Sequence, residues 1–123
     1  MARGRVLVVE DDDGLRETLA EVLADDGHEV RVAEDGQVAL QTITDWVPEV
    51  IVLDLMMPKM NGYDFRARQL DQTEARRAKV LILSAARDVE RAAEELRADG
   101  WLGKPFGLHD VLATVRRLLP RPG

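Results

Sequence analysis

Three stretches of this chain are apolar at every position: Val6-Leu7-Val8-Val9, Val50-Ile51-Val52-Leu53 and Val80-Leu81-Ile82-Leu83. An unbroken apolar run of this length suits a strand covered on both faces, as in a parallel sheet. Glu29-Val30-Arg31-Val32 alternates instead, with its charged residues facing outward, which suits an edge strand. Gly100-Trp101-Leu102-Gly103 is short and reads as a fifth strand at the other edge.

Between these runs the period changes from two to that of a helix. Leu15, Leu19, Val22 and Leu23 form the apolar stripe of a first helix, with Asp12 or Asp13 as its cap and Asp25-Asp26-Gly27 as its end. Glu34-Asp35-Gly36 turns the chain into a second, with Val38, Ala39, Ile43 and Trp46 on its buried side and Pro48 forbidding its continuation. A third is expected from residue 63 to about residue 70, followed by a polar stretch over 69–79 that signals no boundary. The spacing predicts a fourth over 87–99, with the thin stripe Val89, Ala92, Ala93 and Leu96. A fifth, over about 107–119, carries Leu108, Val111, Leu112, Val115, Leu118 and Leu119 before Pro120 stops it.

Strand and helix thus alternate along the whole chain, which predicts an α/β fold with right-handed crossovers. The first, third and fourth strands are central by their uniform apolarity. A flavodoxin-like doubly wound, five-stranded parallel sheet in order 2-1-3-4-5 with five helices satisfies that pattern. At 123 residues the expectation is a single domain over 1–123, its core at about 4–119 and 120–123 a tail or linker stub.

Composition narrows the function. With 46% apolar and 33% charged residues the chain has a soluble globular make-up, and its net charge of -6 argues against direct nucleic-acid binding by this domain. No cysteine is present, which excludes disulfides, thiolate zinc sites and cysteine nucleophiles. The apolar run in MARGRVLVVEDD is too short for a signal peptide or a membrane span, so a cytoplasmic location is expected.

Parallel strands end on the same side. Glu10, Asp11, Asp54, Ser84 and Lys104 each follow a strand directly and are expected to meet at the crevice between strands 1 and 3. Taken singly, an Asp at a strand end or an acidic run such as Glu10-Asp11-Asp12-Asp13 is a solvated surface feature; convergence changes that. Three crowded carboxylates need a counter-charge, and a hard divalent cation suits them: Mg²⁺, with Mn²⁺ as a substitute. Lys104 adds positive charge and Ser84 a hydroxyl donor. A carboxylate in that company is equipped to accept a phosphoryl group as an acyl phosphate.

LVVEDD at residues 7–12, VLDLMMPKMNG at 52–62, LILSA at 81–85 and KPF at 104–106 together resemble the response-regulator receiver domain of two-component signalling, in the CheY-like superfamily. The resemblance spans about residues 4–119. It implies that Asp54 is the phosphoacceptor, charged from a phosphohistidine on a sensor histidine kinase or phosphotransfer protein. It implies Asp11 as a direct metal ligand, Glu10 acting through water and the backbone carbonyl of Met56 as the third protein ligand. Ser84 takes the switch hydroxyl position, Trp101 the switch aromatic, and Lys104, before a cis Pro105, the phosphate-binding lysine. The readout surface would be the fourth helix, fifth strand and fifth helix, with Glu94, Arg97, Trp101 and Arg116, serving a downstream effector or a homodimer. Kinase choice would lie around Leu15, Thr18, Leu19, Val22 and Phe106.

Such a domain is not an enzyme. Self-phosphorylation from small donors and slow self-dephosphorylation are expected, because neither Met56 nor Ala86 can orient a water. Asp11-Asp12-Asp13-Gly14 also spells the D-x-D-G of haloacid-dehalogenase phosphohydrolases, but that alternative leaves Asp54 unused and lacks a cap insertion. A flavodoxin-type binding module would need a phosphate loop where this chain carries acid. His28 and His109 read as surface residues outside the site.

Overall fold

The computed structural model describes residues 4–55, 61–72, 74–85 and 89–120. Its strands are β1 (Arg5–Val9), β2 (Glu29–Ala33), β3 (Val50–Asp54), β4 (Lys79–Ser84) and β5 (Gly100–Gly103), all parallel, in the order β2-β1-β3-β4-β5. The helices are α1 (Asp13–Asp25), α2 (Gly36–Asp45), α3 (Gly62–Leu70), α4 (Val89–Glu95) and α5 (Leu108–Leu118), with a short 3₁₀ turn at Ala75–Arg77. Strand order and helix number are those the hydrophobic pattern predicts.

The unbroken apolar runs are explained by two cores, one on each face of the sheet. Leu7, Val9, Ile51, Leu53, Val80 and Ile82 face α2, α3 and α4, meeting Ala39, Ile43, Trp46, Phe65 and Ala92. Their chain neighbours Val6, Val8, Val50, Val52, Leu81 and Leu83 face α1 and α5, meeting Leu19, Leu23, Val111, Val115 and Leu119. Each such side chain fully removed from water contributes about 1.5–3 kcal/mol. Between their first and last residues the central strands have no solvent side, so polar residues stand only at their ends: Arg5 and Lys79 where β1 and β4 begin, Asp54 and Ser84 where β3 and β4 close.

Capping sets the helix starts. Asp12 accepts from the Leu15 N–H at 2.8 Å, Asp35 from the Val38 N–H at 2.9 Å and Asn61 from the Asp64 N–H at 3.0 Å. Gly27, past the end of α1, has φ 95, the left-handed conformation in which glycine carries no steric penalty.

Three local expectations need correcting. The fourth helix stops at Glu95 rather than 99, because Arg97 turns left-handed at φ 55 and Asp99 leaves to accept the Val80 N–H at 2.9 Å. His28 is buried, not superficial: the turn after α1 folds it inward, its Nε2 lies 3.0 Å from Asp26 Oδ2, and its Nδ1 has no partner. Val32 is exposed although it lies on the apolar register of β2. Within α3, the polar residues Arg66 and Gln69 are buried, and they tie the helix to the 3₁₀ turn and to the chain after α4. Trp46, at the end of α2, is covered by the guanidinium groups of Arg31 and Arg5, 5.0 and 5.7 Å from its ring centre.

Candidate functional site

Because all the strands run the same way, their C-terminal ends line one edge of the sheet. Register places Val9 opposite Leu53, Asp54 opposite Leu83 and Ser84 opposite Gly103, so Glu10, Asp54, Ser84 and Lys104 emerge within a layer or two of one another. Glu10, Asp54 and Ser84 are almost wholly buried, whereas Asp11 is exposed at the rim.

Each of Glu10, Asp11 and Asp54 offers a carboxylate oxygen, and these oxygens lie within 4.8 Å of one another. Lys104 reaches across from the end of β5, its Nζ 3.2 Å from Glu10 Oε1 and 3.4 Å from Asp54 Oδ2. The other Glu10 oxygen accepts the Asp12 N–H at 3.3 Å. The Lys104 N–H donates to the Ser84 carbonyl at 2.8 Å, and the Lys104–Pro105 peptide is cis, as the resemblance implies.

The electrostatics follow from this crowding. Burial raises the Glu10 pKa above the ordinary carboxyl value, and its contact with Asp54 and that group's charge add to the rise. Desolvation and the adjacent Glu10 likewise raise Asp11. Burial alone would lower the Lys104 ammonium, but the charges of Asp54 and Glu10 outweigh it and the net shift is upward. One ammonium among three carboxylates leaves net negative charge in a confined space. An all-oxygen, hard donor set with that excess fits a divalent cation such as Mg²⁺.

Two residues that sequence reasoning passed over hold this arrangement. Arg16, on the first turns of α1, donates from Nη1 to the Glu10 carbonyl at 3.0 Å and to the Asp11 carbonyl at 3.4 Å, and from Nη2 to Asp13. A cation three residues after Asp13 was the available signal. Gly62 starts α3 directly against the residue after Asp54: a Cβ there would lie 2.8 Å from Leu55 Cα and 3.0 Å from the Asp54 carbonyl oxygen. Its N–H donates to the Leu55 carbonyl at 2.9 Å. The Asn61-Gly62 pair is legible as a turn, but the close approach is not.

These are the features of a phosphoryl-accepting strand-end site, and residues 6–116 match the response regulator receiver domain. The chain belongs to that family. Receiver domains are signalling domains of two-component response regulators rather than enzymes, and the phosphohydrolase alternative finds no support. Of the two D-x-D-G carboxylates, Asp13 is paired with Arg16 and Asp11 belongs to the cluster with Glu10 and Asp54, while the intervening Asp12 caps α1.

Among curated relatives, response regulator MprA of Mycolicibacterium vanbaalenii is 42% identical over 119 residues, covering 95% of this chain and 51% of that protein. MprA of Mycobacterium avium is likewise 42% identical over 119 residues, covering 95% of this chain and 51% of its own length. The chain thus spans about half the length of the curated relatives it matches. Among solved structures, chemotaxis protein CheY4 of Vibrio cholerae aligns with a TM-score of 0.87 at 32% identity, covering 96% of this chain and 100% of that one. TrrA of Thermotoga maritima, solved in complex with Mg²⁺ and BeF, aligns with a TM-score of 0.82 at 29% identity, covering 94% of this chain and 98% of its own.

Met56 and Ala86 lie outside the described residues. Several other expected features stand apart from the cluster. Trp101 is 43% exposed on β5, opposite Ile82 of β4. Arg116, expected on a readout face, is held by Asp26 at the end of α1. Leu19, expected at a kinase-facing surface, is only 1% exposed and belongs to the core, while Thr18 is exposed and Leu15, Val22 and Phe106 are half-buried. A groove lined by Val47, Pro48, Arg76, Lys79, Leu118 and Pro120 lies at the opposite end of the sheet and takes no part in this chemistry.

Proposed function

We propose that this receiver domain accepts a phosphoryl group on Asp54, passed from a phosphohistidine of a sensor histidine kinase or phosphotransfer protein. One observation carries the reading: Lys104 contacts both Asp54 and Glu10, inside a cluster that Asp11 completes. An Asp54 carboxylate oxygen attacks phosphorus, the donor's P–N bond breaks, and the imidazole leaves with its electron pair. Lys104 neutralises charge on the transferring oxygens and keeps Asp54 aimed. Asp11, Asp54, the backbone carbonyl of Met56 and, through water, Glu10 would hold Mg²⁺, with Mn²⁺ as a substitute. The bound cation offsets the negative charge that phosphoryl transfer brings together. The Mg²⁺ and BeF in the TrrA complex support that assignment.

Phosphorylation adds charge and acceptor oxygens beside Ser84, whose hydroxyl then moves toward them. The move is passed through the following loop to α4, and the α4–β5–α5 face with Trp101 presents the change to an effector or a second copy. Receiver function occupies a core at about 4–119, with 120–123 as tail or linker. Among the described residues no helix is long and apolar enough to cross a membrane, which is compatible with cytoplasmic action.

Intact-mass spectrometry after incubation with acetyl phosphate or phosphoramidate and Mg²⁺ tests the reading. One added phosphoryl group is expected on the native chain, and none on Asp54→Asn or without divalent cation. An adduct on Asp54→Asn equal to that on the native chain would sink it.

A further inference from the structure

The helix expected to move in this switch is poorly anchored by apolar packing. Within its described span, Val89–Glu95, α4 buries Val89, Ala92 and Ala93. Two methyl groups and one isopropyl group remove little surface from water. Past its far end, Leu96 and Ala98 pack against the core, and polar contacts of unusual kind add a second hold.

Arg66 on α3 is 5% exposed and directs its donors at main chain rather than at a carboxylate. Its Nε donates to the Leu96 carbonyl at 3.0 Å and its Nη2 to the Arg97 carbonyl at 2.9 Å. Nη1 donates to Gln69 Oε1 at 2.7 Å, and Gln69 Nε2 donates onward to the Ala75 carbonyl at 2.7 Å. Gln69 is itself fully buried, so the guanidinium is braced by a second ordered group.

The two carbonyls it grips belong to the helix stop. The Arg97 N–H donates to Glu94 O at 3.1 Å and the Ala98 N–H to Ala93 O at 2.9 Å, the paired bonds of a Schellman motif. Glycine is usual at the left-handed position of that motif, yet here it is Arg97 at φ 55. A non-glycine residue in this conformation is strained unless its surroundings hold it. The fork of Arg66 does so, and its positive charge faces the negative end of the helix dipole.

We propose that Arg66 is a positioning residue that keeps the C-terminal end of α4 stationary. The helix then swings about Leu96 and Arg97 when its N-terminal end follows Ser84. A short, thinly packed helix held at one end converts a small displacement at Ser84 into rotation of the helix; without the hold, the same push is lost in sliding or fraying. The pivot rests on the switching role proposed above for Ser84, and the test separates the two.

Amide hydrogen exchange and Trp101 fluorescence are followed in the 123-residue chain, with and without beryllofluoride and Mg²⁺, in the native form, Arg66→Met and the milder Arg66→Lys. Without beryllofluoride, Arg66→Met is expected to speed exchange at Arg97 and Ala98 by about tenfold or more, and Arg66→Lys by about threefold, with β4 amides unchanged. In the native chain beryllofluoride leaves Arg97 and Ala98 within about twofold while amides of the first turn of α4 change more. A mere structural prop, once removed, lowers thermal stability and leaves the beryllofluoride-induced fluorescence change intact; loss of a pivot abolishes that change while beryllofluoride still binds. Native exchange rates at Arg97 and Ala98 in both variants, or loss of their protection on beryllofluoride addition to the native chain, overturns the pivot. A native chain that shows no response to beryllofluoride at any amide overturns the phosphoacceptor reading instead.

Discussion

Gly62 shows how one residue controls the site without touching the chemistry. Its Cα packs on the main chain at Leu55, so moving the Leu55 side chain, 2.9 Å away, would not make room for a methyl group: the closest atom, at 2.8 Å, is backbone. Gly62→Ala must therefore push α3 away from the end of β3, carrying the Asp54 carboxylate out of reach of Lys104. The expected cost is about 1–3 kcal/mol, as for other overpacked sites, read as a lowered midpoint in thermal or urea unfolding. Phosphorylation by acetyl phosphate should slow in the same variant, and an unchanged midpoint would refute the close-packing account. Asp54, Glu10, Asp11, Ser84 and Lys104 were all legible from the strand-end pattern. Gly62 and Arg16 were not, because one works through an atom it lacks and the other through carbonyls that any sequence would provide.

Among the elements, the joint between α1 and α5 carries a pH-dependent contribution. Asp26 receives Arg116 Nε at 2.8 Å, a second and shorter bond from Arg116 Nη2, and His28 Nε2 at 3.0 Å. These contacts, that of Arg116 foremost, hold the Asp26 carboxyl below its ordinary value. A carboxyl lowered in the folded state adds stability that is complete above its unfolded pKa and is lost as pH falls through the folded one. Asp26→Asn is therefore expected to lower the melting midpoint at neutral pH and to converge with the native chain in strong acid. Parallel melting curves with a constant gap down to the acid limit would contradict this. The helix that departs from its predicted length, α4, does so for a tertiary reason. Helical periodicity continues past Glu95, but the Arg66 fork and the departure of Asp99 to β4 favour a stop there.

For the whole molecule, the acidic cluster trades stability for binding. Carboxyls raised by burial and by each other, as Glu10 and Asp11 are, penalise the fold at neutral pH, and that penalty fades as pH falls through their raised folded pKa values. In chelator at neutral pH, Asp54→Asn should thus melt above the native chain, since it removes one charge from the crowd. Mg²⁺ should reverse the order: a ligand at a hundred times its dissociation constant stabilises the form that binds it by about 2.7 kcal/mol. The Mg²⁺-induced rise should weaken in mild acid, where Glu10 and Asp11 take up protons sooner than ordinary carboxyls. Differential scanning fluorimetry with and without Mg²⁺ reads all three, and equal midpoints for both proteins in chelator would show that the carboxylates do not repel as described.

The sequence by itself determined the sheet, its strand order and the group of residues at its C-terminal edge. Those features follow from local rules: a strand without a polar position must be covered on both faces, and parallel strands must end together. Only the tertiary structure decided what depends on partners far along the chain. His28 is polar and next to a turn, yet the fold buries it beside Asp26. Arg66 lies 30 and 31 residues from the carbonyls it grips. Arg116 meets Asp26 across 90 residues. A buried polar group is stable only where its partners happen to converge, and neither hydropathy nor spacing carries that information.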